Sequence, residues 1–424
     1  MSGGVDSSVA AYLLSKQKKY NLVGLHMRNW ESADEDEPQC LEQDRRDAQA
    51  VCHSLQIPLH HASFAPEYWT HVFEPFVEGI SQGIMPNPDV TCNSVIKFDA
   101  MKKYTKKRLG IDWIATGHYA RLWNRNDISI PSYIKEGLDG ETIDWLSSWG
   151  TVSYPLLLSA ADLTKDQSYF LANVDGRAFQ NVMFPLGDLY KKSSDEEMSV
   201  RALAREAQLP TAQKRESMGM CFIGKRDFGD FIHQYLPEPP KPGNFIDVDT
   251  GQVVGTHKGS LLYTIGQGAK ISGASKRWFV VGRAKDDDTT LLVCSGTHHA
   301  ALYSDSLFMR QIHWIGGNSV VPPPLQSTGR MRVKCRTRHL QPLVSAEISG
   351  NEQGGWIIHF DKPIRAITPG QLAALYVGDY GLVCLGGGII LERSVSYHEQ
   401  GKDLPTELHP AGHNDLSVEN EKYG

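Results

Sequence analysis

The first residues of the chain combine glycines, an acid and hydroxyls in a spacing suited to binding an anion. Residues 2–8 read Ser-Gly-Gly-Val-Asp-Ser-Ser, and the apolar run at 9–14 that follows predicts a helix. Either Asp6 or Ser7 is expected to cap this helix. The two glycines permit a tight turn, and the first helical N–H groups then point toward one place at the positive end of the helix dipole. The segment therefore predicts a phosphate cradle.

Two cysteines lie in sequence settings that favour thiol chemistry. Cys92 follows a loop rich in Pro, Asn and Asp at 85–91 and precedes a predicted helix that carries Lys97. A thiol near a helix N-terminus and a cation is expected to have a lowered pKa and to be more nucleophilic. Cys221 lies in the apolar string Gly-Met-Cys-Phe-Ile-Gly at 219–224, so its activation has to come from elsewhere in the fold. Each cysteine by itself is also compatible with a structural role.

The cysteine count bears on the compartment and on metal binding. The chain has 7 cysteines, an odd number, and no two of them are spaced as Cys-x-x-Cys. This disfavours a disulfide framework and a structural zinc site, and it favours a reducing compartment with one or two working thiols.

Strand and helix patterns alternate in the first part of the chain. Apolar runs at 22–27 and 112–118 predict buried strands, and helical patterns lie between them. Such alternation predicts a parallel sheet covered by helices on both faces, with ligands at the carboxyl ends of the strands. Met27, Gly117 and His118 are therefore expected on the same rim as the glycine-rich loop.

Length and composition predict two or three soluble domains. A chain of 424 residues exceeds one ordinary core, and its 41% hydrophobic and 22% charged residues are typical of globular proteins. No apolar run reaches the roughly 20 residues that span a bilayer. The net charge of −6 argues against a uniformly basic nucleic-acid binder, although a local basic surface remains compatible with it.

The predicted fold class is α/β, with three domains and a tail. Residues 1–225 are expected to form a doubly wound parallel-sheet domain, interrupted by an irregular insertion at about 124–161. Residues 226–300 predict a small mixed domain, and the short β-like runs at 301–395 predict a C-terminal β-barrel. The polar residues 396–424 predict a disordered tail.

One predicted strand in the C-terminal region is unusually basic. Its cations alternate with a largely apolar set: Arg330, Arg332, Lys334, Arg336 and Arg338. With a side-chain period of two, all five cations are expected on one face, and Cys335 is expected to point inward. Because five like charges repel one another, the pattern predicts a surface that contacts a phosphate backbone.

From Ser2 to about Arg393 the chain resembles tRNA-specific 2-thiouridylases, which belong to the PP-loop ATP pyrophosphatase superfamily. The resemblance rests on ordered strings: SGGVDSS at 2–8, MRNW at 27–30, NPD at 87–89 with Cys92-Asn93, ATGHY at 115–119, KDQSYFL at 165–171, GMCFIG at 219–224, TPGQ at 368–371 and LGGGII at 385–390. Two of these strings contain cysteine.

The resemblance implies that the protein inserts sulfur at C2 of the wobble uridine, position 34, of tRNA. ATP would adenylate the C2 oxygen, because a carbonyl oxygen leaves poorly until it carries AMP. Cys221 would hold a persulfide delivered by a sulfur-donor protein downstream of a cysteine desulfurase, and its terminal sulfur, or sulfide released from it, would attack C2. Cys92 would then close a transient disulfide with Cys221.

The resemblance also assigns binding residues. Those expected at ATP and its Mg²⁺ are Met1, Ser2, Gly3, Gly4, Val5, Asp6, Ser7, Met27 and Gly117. Those expected around tRNA are Asn87, Pro88, Asp89, His118, Lys165, Asp166, Gln167, Arg338, His339 and Gln371. No metal-ligand set and no membrane partner is implied.

The chain departs from the family pattern in several places. It has Gly-Gln-Gly-Ala-Lys at 266–270 where the family usually has Gly-Gln-Arg-x-Gly, and it has His339 where the family often has Tyr. The long insertion and polar tail suggest the mitochondrial branch, and hence a mitochondrial location, with the cytoplasm as the alternative. No strand leads into the glycine-rich loop, so we expect the natural protein to begin upstream of Met1, with that strand and a targeting segment.

Three alternative functions are left open by the sequence. One is a different PP-loop ATP pyrophosphatase, such as an amide-forming synthetase, which needs no paired cysteines. Another is a tRNA-binding protein without catalytic activity. An iron–sulfur cluster on Cys92 and Cys221 is a third possibility, although two thiolates are a thin ligand set compared with the usual four.

Overall fold

The structure is a computed structural model. It describes residues 1–30, 39–127, 129–193, 199–215, 222–224, 226–317, 320–406 and 408. Cys221 and the end of the predicted tail lie outside the described residues.

The N-terminal region alternates helices with short strands, as predicted. Its helices are α1 (Val5–Lys16), α2 (Gln39–Ser54), α3 (Ala65–Tyr68), α4 (Glu74–Ser81), α5 (Pro88–Thr91), α6 (Met101–Tyr104), α7 (Ser132–Gly137), α8 (Gly140–Ser148), α9 (Ser168–Leu171) and α10 (Val200–Glu206). Its strands are β1 (Gly24–Arg28), β2 (Leu59–Ser63), β3 (Ile114–Ala115), β4 (Arg121–Trp123), β5 (Leu156–Leu158) and β6 (Val182–Met183). The strands expected at 22–27 and 112–118 are therefore confirmed as β1 and the shorter β3.

The parallel pairing expected for this region is confirmed, but it occurs in two separate pairs. β1 runs parallel to β2, with Gly24 opposite Leu59, and β3 runs parallel to β6, with Ile114 opposite Val182. Among the described residues, each of these strands has one partner strand. The ammonium group of Met1 donates to the Leu25 carbonyl at 2.5 Å, so the first residue lies against the second edge of β1.

The insertion at 124–161 is not irregular, contrary to the prediction. It contains α7 and α8, and Asp139 caps α8 by accepting from the Thr142 N–H at 2.7 Å. The strand β5 at its end pairs with both β4 and β18 (Val383–Ile389), so the insertion extends the C-terminal sheet. The sequence pattern missed this because two short helices and three-residue strands carry little periodicity.

The central region is a small mixed unit. It begins with α11 (Phe228–Ile232) and forms a sheet of strand order β8-β7-β11-β10-β9. These strands are β7 (Gly243–Asp247), β8 (Val253–His257), β9 (Gly268–Ala269), β10 (Trp278–Arg283) and β11 (Leu291–Ser295). β7 and β11 run parallel, whereas the other pairs are antiparallel.

The C-terminal region is an antiparallel sheet with one helix, as its short β-like runs predict. The sheet order is β19-β12-β16-β15-β14-β17-β18-β5-β4, and β13 pairs with β18. The elements are β12 (Tyr303–Met309), β13 (His313–Trp314), α12 (Pro323–Thr328), β14 (Arg330–Arg336), β15 (Val344–Gly350), β16 (Trp356–Arg365), β17 (Leu372–Val377), β18 and β19 (Glu392–Arg393).

The basic strand β14 has the predicted alternation but not the predicted exposure. Met331, Val333 and Cys335 are buried, which confirms the inward set. Arg336 is also buried, with 6% of its surface exposed, so the prediction of one exposed face of cations is wrong there. The two exposed arginines are paired with carboxylates of the same sheet, Arg330 with Glu347 and Arg332 with Asp361.

Arg336 is buried because it ties the N-terminal region to the C-terminal sheet. Its Nη1 donates to Asp166 Oδ2 at 3.1 Å, and Asp166 is fully buried. Asp166 Oδ1 accepts from the N–H groups of Ala160 and Ser168 at 3.1 and 3.2 Å. Both carboxylate oxygens of Asp166 therefore accept hydrogen bonds within the protein. The interface between the N-terminal region and the C-terminal sheet is specified by these polar bonds as well as by apolar packing.

The predicted disordered tail is in part packed. The Tyr397 N–H donates to the Tyr303 carbonyl at 3.0 Å, and Glu399 accepts from the Ser396 N–H at 2.7 Å. Leu404 packs against the apolar cluster that includes Phe279. In the described part of the chain, no helix is long and apolar enough to cross a membrane.

Removing one partner of the buried pair should destabilise the protein far more than removing one partner of the exposed pair. Arg336→Met leaves the Asp166 carboxylate buried without its cation, so we expect a loss of about 3–5 kcal/mol in the free energy of unfolding. Arg332→Met breaks the exposed pair on the same strand and should cost about 0–1 kcal/mol. Urea unfolding of both variants measures the difference, and equal losses would contradict the role given to Arg336.

Candidate functional site

The glycine-rich loop leads into α1 without the side-chain cap that the sequence predicts. Gly4 is the N-cap residue, and no side chain accepts from the first helical N–H groups. The hydroxyls of Ser7 and Ser8 instead donate back to the Gly4 carbonyl at 3.1 and 2.8 Å. The prediction of Asp6 or Ser7 as the cap is therefore wrong. The N–H groups at the positive end of α1 have no side-chain cap, which suits an anionic ligand.

A buried cation lies beside this cradle. Lys191 is 3% exposed, and its Nζ donates to Asp6 Oδ1 at 2.6 Å. The Tyr119 hydroxyl donates to the same oxygen at 2.9 Å. Lys191 adds positive charge to the N-terminal end of α1, and the half-buried Asp6 balances that charge within the protein.

A cleft of about 2440 Å³ connects the cradle with the ends of the strands. Of the predicted site residues, it is lined by Met1, Ser2, Asp6, Ser7, Met27, Asp89, Cys92, Gly117, His118 and Gln167. Met27, Gly117 and His118 therefore share one cleft with the glycine-rich loop, although β1 and β3 belong to separate strand pairs. Gly3, Gly4 and Val5 belong to the same loop but do not line the cleft.

Two glycines are required by close backbone approaches around the loop. A Cβ at Gly117 would lie 2.7 Å from the Ser7 nitrogen. A Cβ at Gly3, whose φ is +77°, would lie 2.3 Å from the Asp44 carbonyl oxygen. The end of β3 and the helix α2 therefore pack against the glycine-rich loop from two sides.

Cys92 lies in a continuous helical segment that begins at Pro88. Asn87 caps this segment, and its Oδ1 accepts from the N–H groups of Asp89 and Val90 at 3.1 and 3.4 Å. The turns from Cys92 to Ala100 are π-helical. Cys92 is 5% exposed and lines the cleft, and Asn29 Nδ2 lies 4.0 Å from its Sγ.

Two ionisable groups near Cys92 have shifted pKa values. Burial lowers the pKa of His118 well below its usual value, and the charge of Lys97 adds to that effect. Because its pKa is lowered in this way, His118 is neutral near neutral pH. Its Nδ1 lies 2.8 Å from the Thr116 hydroxyl, within hydrogen-bond distance. Burial raises the pKa of Asp89, although Lys97 opposes the shift.

Several residues that the resemblance assigns to tRNA lie instead at the interface between regions. His339 Nε2 lies 3.0 Å from the Asp166 carbonyl, and Gln371 Nε2 donates to the Met85 carbonyl at 2.6 Å. One nitrogen of Arg338 donates to the carbonyls of Ile265 and Ala366 at 2.7 and 2.9 Å. These contacts are with protein groups, so the assignment of the three residues to tRNA stays a prediction.

The remaining tRNA candidates are nearer to the cleft. Gln167 lines it, and its side chain accepts from the Tyr119 N–H at 3.0 Å. Lys165 is half-buried two residues earlier, and Pro88 is buried as the first residue of its helix.

Among the described cysteines, which are Cys52, Cys92, Cys294, Cys335 and Cys384, no two are joined by a disulfide. The predicted transient bond pairs Cys92 with Cys221, which lies outside the described residues. Phe222, its neighbour in the chain, is buried among aromatic rings that include Trp30 and Phe73.

Lys191 and Asn29 lie at this site but were not predicted from the sequence as site residues. Lys191 is 185 positions from Asp6, and no local motif marks it. Asn29 belongs to the string MRNW that carries the resemblance, and its place directly after a strand was the available signal.

Comparison with known proteins matches the chain to three family profiles. Residues 1–225 match a profile described as "tRNA methyl transferase HUP domain". Residues 229–295 match "tRNA methyl transferase PRC-barrel domain", and residues 304–390 match "Aminomethyltransferase beta-barrel domain".

Curated relatives match almost the whole chain. The tRNA-specific 2-thiouridylase MnmA of Klebsiella pneumoniae is 41% identical over 399 residues, which cover 93% of this chain and 96% of the relative. The protein of the same name from Yersinia pestis is 39% identical over 399 residues, which cover 93% of this chain and 95% of the relative.

Adding one methyl group at Gly117 should weaken nucleotide binding. The Cβ of Gly117→Ala would push against the Ser7 nitrogen and displace the first turn of α1, so we expect the Kd for ATP to rise at least tenfold, about 1.4 kcal/mol. Isothermal titration calorimetry measures this change. Gly140→Ala is the control, because a Cβ there meets nothing within 4 Å. An unchanged Kd in Gly117→Ala would contradict the placement of ATP at this loop.

Proposed function

Because the chain belongs to the tRNA-specific 2-thiouridylase family, we propose that it is a sulfurtransferase that replaces the C2 oxygen of a tRNA uridine with sulfur, using ATP. The observation that carries this proposal is that one cleft is lined both by the cradle at α1 and by the thiol-bearing residue Cys92. An anion site for ATP and a nucleophile for sulfur transfer are the two parts that the reaction needs. We further propose the wobble uridine, position 34, as the target.

The cradle is proposed to hold the ATP phosphates. The first-turn N–H groups of α1 and the ammonium of Lys191 supply positive charge, and Ser2 and Ser7 supply hydroxyls on the cleft wall. Asp6 and Ser7 offer the hard oxygen atoms that Mg²⁺ prefers, and a bound Mg²⁺ would neutralise the charge of the departing pyrophosphate. Met27 and Gly117 are proposed to border the adenosine.

Adenylation makes the C2 oxygen a leaving group. The oxygen bonds to the α-phosphorus of ATP, and the bond from that phosphorus to the β-phosphate oxygen breaks, which releases pyrophosphate. The uracil loses its N3 proton to solvent in this step, because C2 becomes doubly bonded to N3, and N3 regains a proton when 2-thiouridine forms. A base in the unpaired anticodon loop can leave its stack at low cost to reach a cleft of this kind. Asn87, Asp89, His118, Lys165 and Gln167 are proposed to surround the incoming nucleotide, with His118 acting as a neutral group.

Sulfur transfer is proposed to use both cysteines. The terminal sulfur of a persulfide on Cys221 bonds to C2, and AMP leaves with the former C2 oxygen. The Cys92 thiolate then attacks Sγ of Cys221, breaks its bond to the transferred sulfur and leaves 2-thiouridine and a Cys92–Cys221 disulfide. An external dithiol must reduce this disulfide before the next turnover.

The source of the persulfide and the compartment belong to the same proposal. A sulfur-donor protein supplied by a cysteine desulfurase would load Cys221. A mitochondrial location is proposed on the long insertion and the polar tail of the sequence, whereas the relatives described above are bacterial. The interface residues Asp166, Arg338, His339 and Gln371 are proposed to support tRNA binding by holding the regions in place.

Replacing either working thiol should abolish thiolation. Cys92→Ser and Cys221→Ser are each expected to lower the formation of 2-thiouridine at least 100-fold, because each breaks the transfer chain, while tRNA binding changes little. Mass spectrometry of nucleosides from the reacted tRNA measures the product. Cys294→Ala is the matched control, because burial raises the pKa of Cys294 to about 12 and keeps it a thiol.

The outcome of these variants separates the alternatives. Thiolation that survives in both cysteine variants would contradict the proposal. Release of pyrophosphate with a sulfur-free product would favour an amide-forming synthetase, and tRNA binding without release of pyrophosphate would favour a non-catalytic protein.

Lys191 should contribute to ATP affinity. Lys191→Gln removes the buried ammonium from the cradle, so we expect the KM for ATP to rise at least tenfold in a pyrophosphate-release assay. Lys192→Gln removes the neighbouring exposed ammonium and should leave this KM unchanged. Equal KM values in the two variants would contradict the role of Lys191.

A further inference from the structure

Asn29 presents an unused hydrogen-bond acceptor beside the candidate nucleophile. It follows β1 directly, so it lies at the carboxyl end of that strand, and it lines the same cleft as Cys92. Its Nδ2 lies 4.0 Å from Cys92 Sγ. Its Oδ1 is buried and has no hydrogen-bond partner among the described residues. A buried carbonyl oxygen without a donor is costly, so a ligand that supplies a donor there would remove that cost.

The position of Asn29 is fixed by its neighbours on both sides. The Arg28 carbonyl accepts from the Phe64 N–H at 2.8 Å. Trp30 is buried, and its ring centroid lies 4.8 Å from that of Phe73 and 5.8 Å from that of Phe222. The amide is therefore carried on a short segment held by a strand at one end and by an aromatic cluster at the other.

Two polar side chains of the cleft already have partners. Gln167 Oε1 accepts from the Tyr119 N–H, and His118 Nδ1 pairs with the Thr116 hydroxyl. Asn93 also has a buried oxygen without a partner among the described residues, but Asn93 is not part of the cleft wall. Asn29 thus combines a buried acceptor that has no donor among the described residues with a place on the cleft wall next to Cys92.

We propose that Asn29 Oδ1 accepts a hydrogen bond from N3–H of the target uracil, an inference that rests on the proposed function. N3 is bonded directly to C2, so an acceptor that holds N3–H also holds the reacting carbon close to Asn29. Asn29 Nδ2 in turn lies 4.0 Å from Cys92 Sγ. Cytosine has an acceptor at N3 and would leave Oδ1 facing another lone pair. Asn29 therefore selects uridine over cytidine and positions C2 for sulfur transfer.

The test compares two tRNA substrates on the full-length protein. One is a tRNA transcript with uridine at position 34, and the other carries cytidine there, which keeps the C2 oxygen but has a lone pair at N3 in place of N3–H. The rate of ATP-dependent thiolation is measured under single-turnover conditions for the wild type, Asn29→Ala and Asn29→Asp. Asn21→Ala is the control, because Asn21 lines the cleft but is exposed.

We expect the wild type and Asn21→Ala to be at least 100-fold slower on the cytidine substrate than on the uridine substrate. Asn29→Ala should be at least 30-fold slower than the wild type on uridine, and its preference for uridine over cytidine should be at least tenfold smaller. Asn29→Asp keeps an acceptor oxygen and should keep the preference for uridine. Melting temperatures check that each variant is folded.

Two results would overturn the inference. One is a wild-type enzyme that thiolates cytidine as fast as uridine, a comparison that needs no variant to fold. The other is a preference for uridine that is the same in Asn29→Ala as in the wild type within threefold, because Asn29 would then not distinguish the two bases at N3. If the wild type thiolates neither substrate, the proposed function itself fails, and the inference fails with it.

Discussion

The buried carboxylate of Asp166 is the interaction on which the geometry of the cleft depends. It is bonded to two backbone N–H groups, to the Ser168 hydroxyl and to Arg336 of β14. The next residue, Gln167, pairs with Tyr119 through both its backbone N–H and its side chain. Tyr119 in turn donates to Asp6 in the cradle. One chain of bonds therefore runs from the C-terminal sheet to the start of α1, so the C-terminal region helps to hold the cradle in place.

The electrostatics of the cradle favour an anion although the whole chain is acidic. The net charge is −6, yet the positive end of α1 and the buried Lys191 meet at one point. Asp6 accepts from both Lys191 and Tyr119 on a single oxygen. A phosphate group is the kind of ligand that would give the first-turn N–H groups of α1 and Lys191 an anionic partner. Local placement of a few charges outweighs the total charge here, since exposed charges farther apart are screened by salt.

The thiol side of the cleft is built on the ends of two elements. Cys92 lies near the start of a helical segment capped by Asn87, and Asn29 lies at the end of β1. The helical segment is capped by the Asn87 side chain, and β1 is held by its pairing with β2. Side chains at the ends of rigid helices and strands are held in defined positions. Ligands of parallel sheets commonly bind at the carboxyl ends of the strands.

The sequence by itself determined the features that depend on short stretches of chain. The glycine loop before α1, strand β1 and the inward face of β14 follow from turn chemistry and side-chain periodicity. Cys92 was expected just before a helix, whereas the helical segment already begins at Pro88. The motif strings in addition identified the family, which the comparisons confirm. Each of these features extends over at most about ten residues, so neighbouring side chains suffice to specify it.

Only the tertiary structure decided which charges are used inside the protein. Arg332 and Arg336 occupy equivalent places in the alternation of β14, yet one is exposed and the other is buried against Asp166, which is 170 residues away. Lys191 and Asp6 meet across 185 residues, and β5 of the expected irregular insertion joins the C-terminal sheet. Burial and pairing of a charge depend on which elements pack over it. That packing is set by the assembly of distant segments, and no local pattern records it.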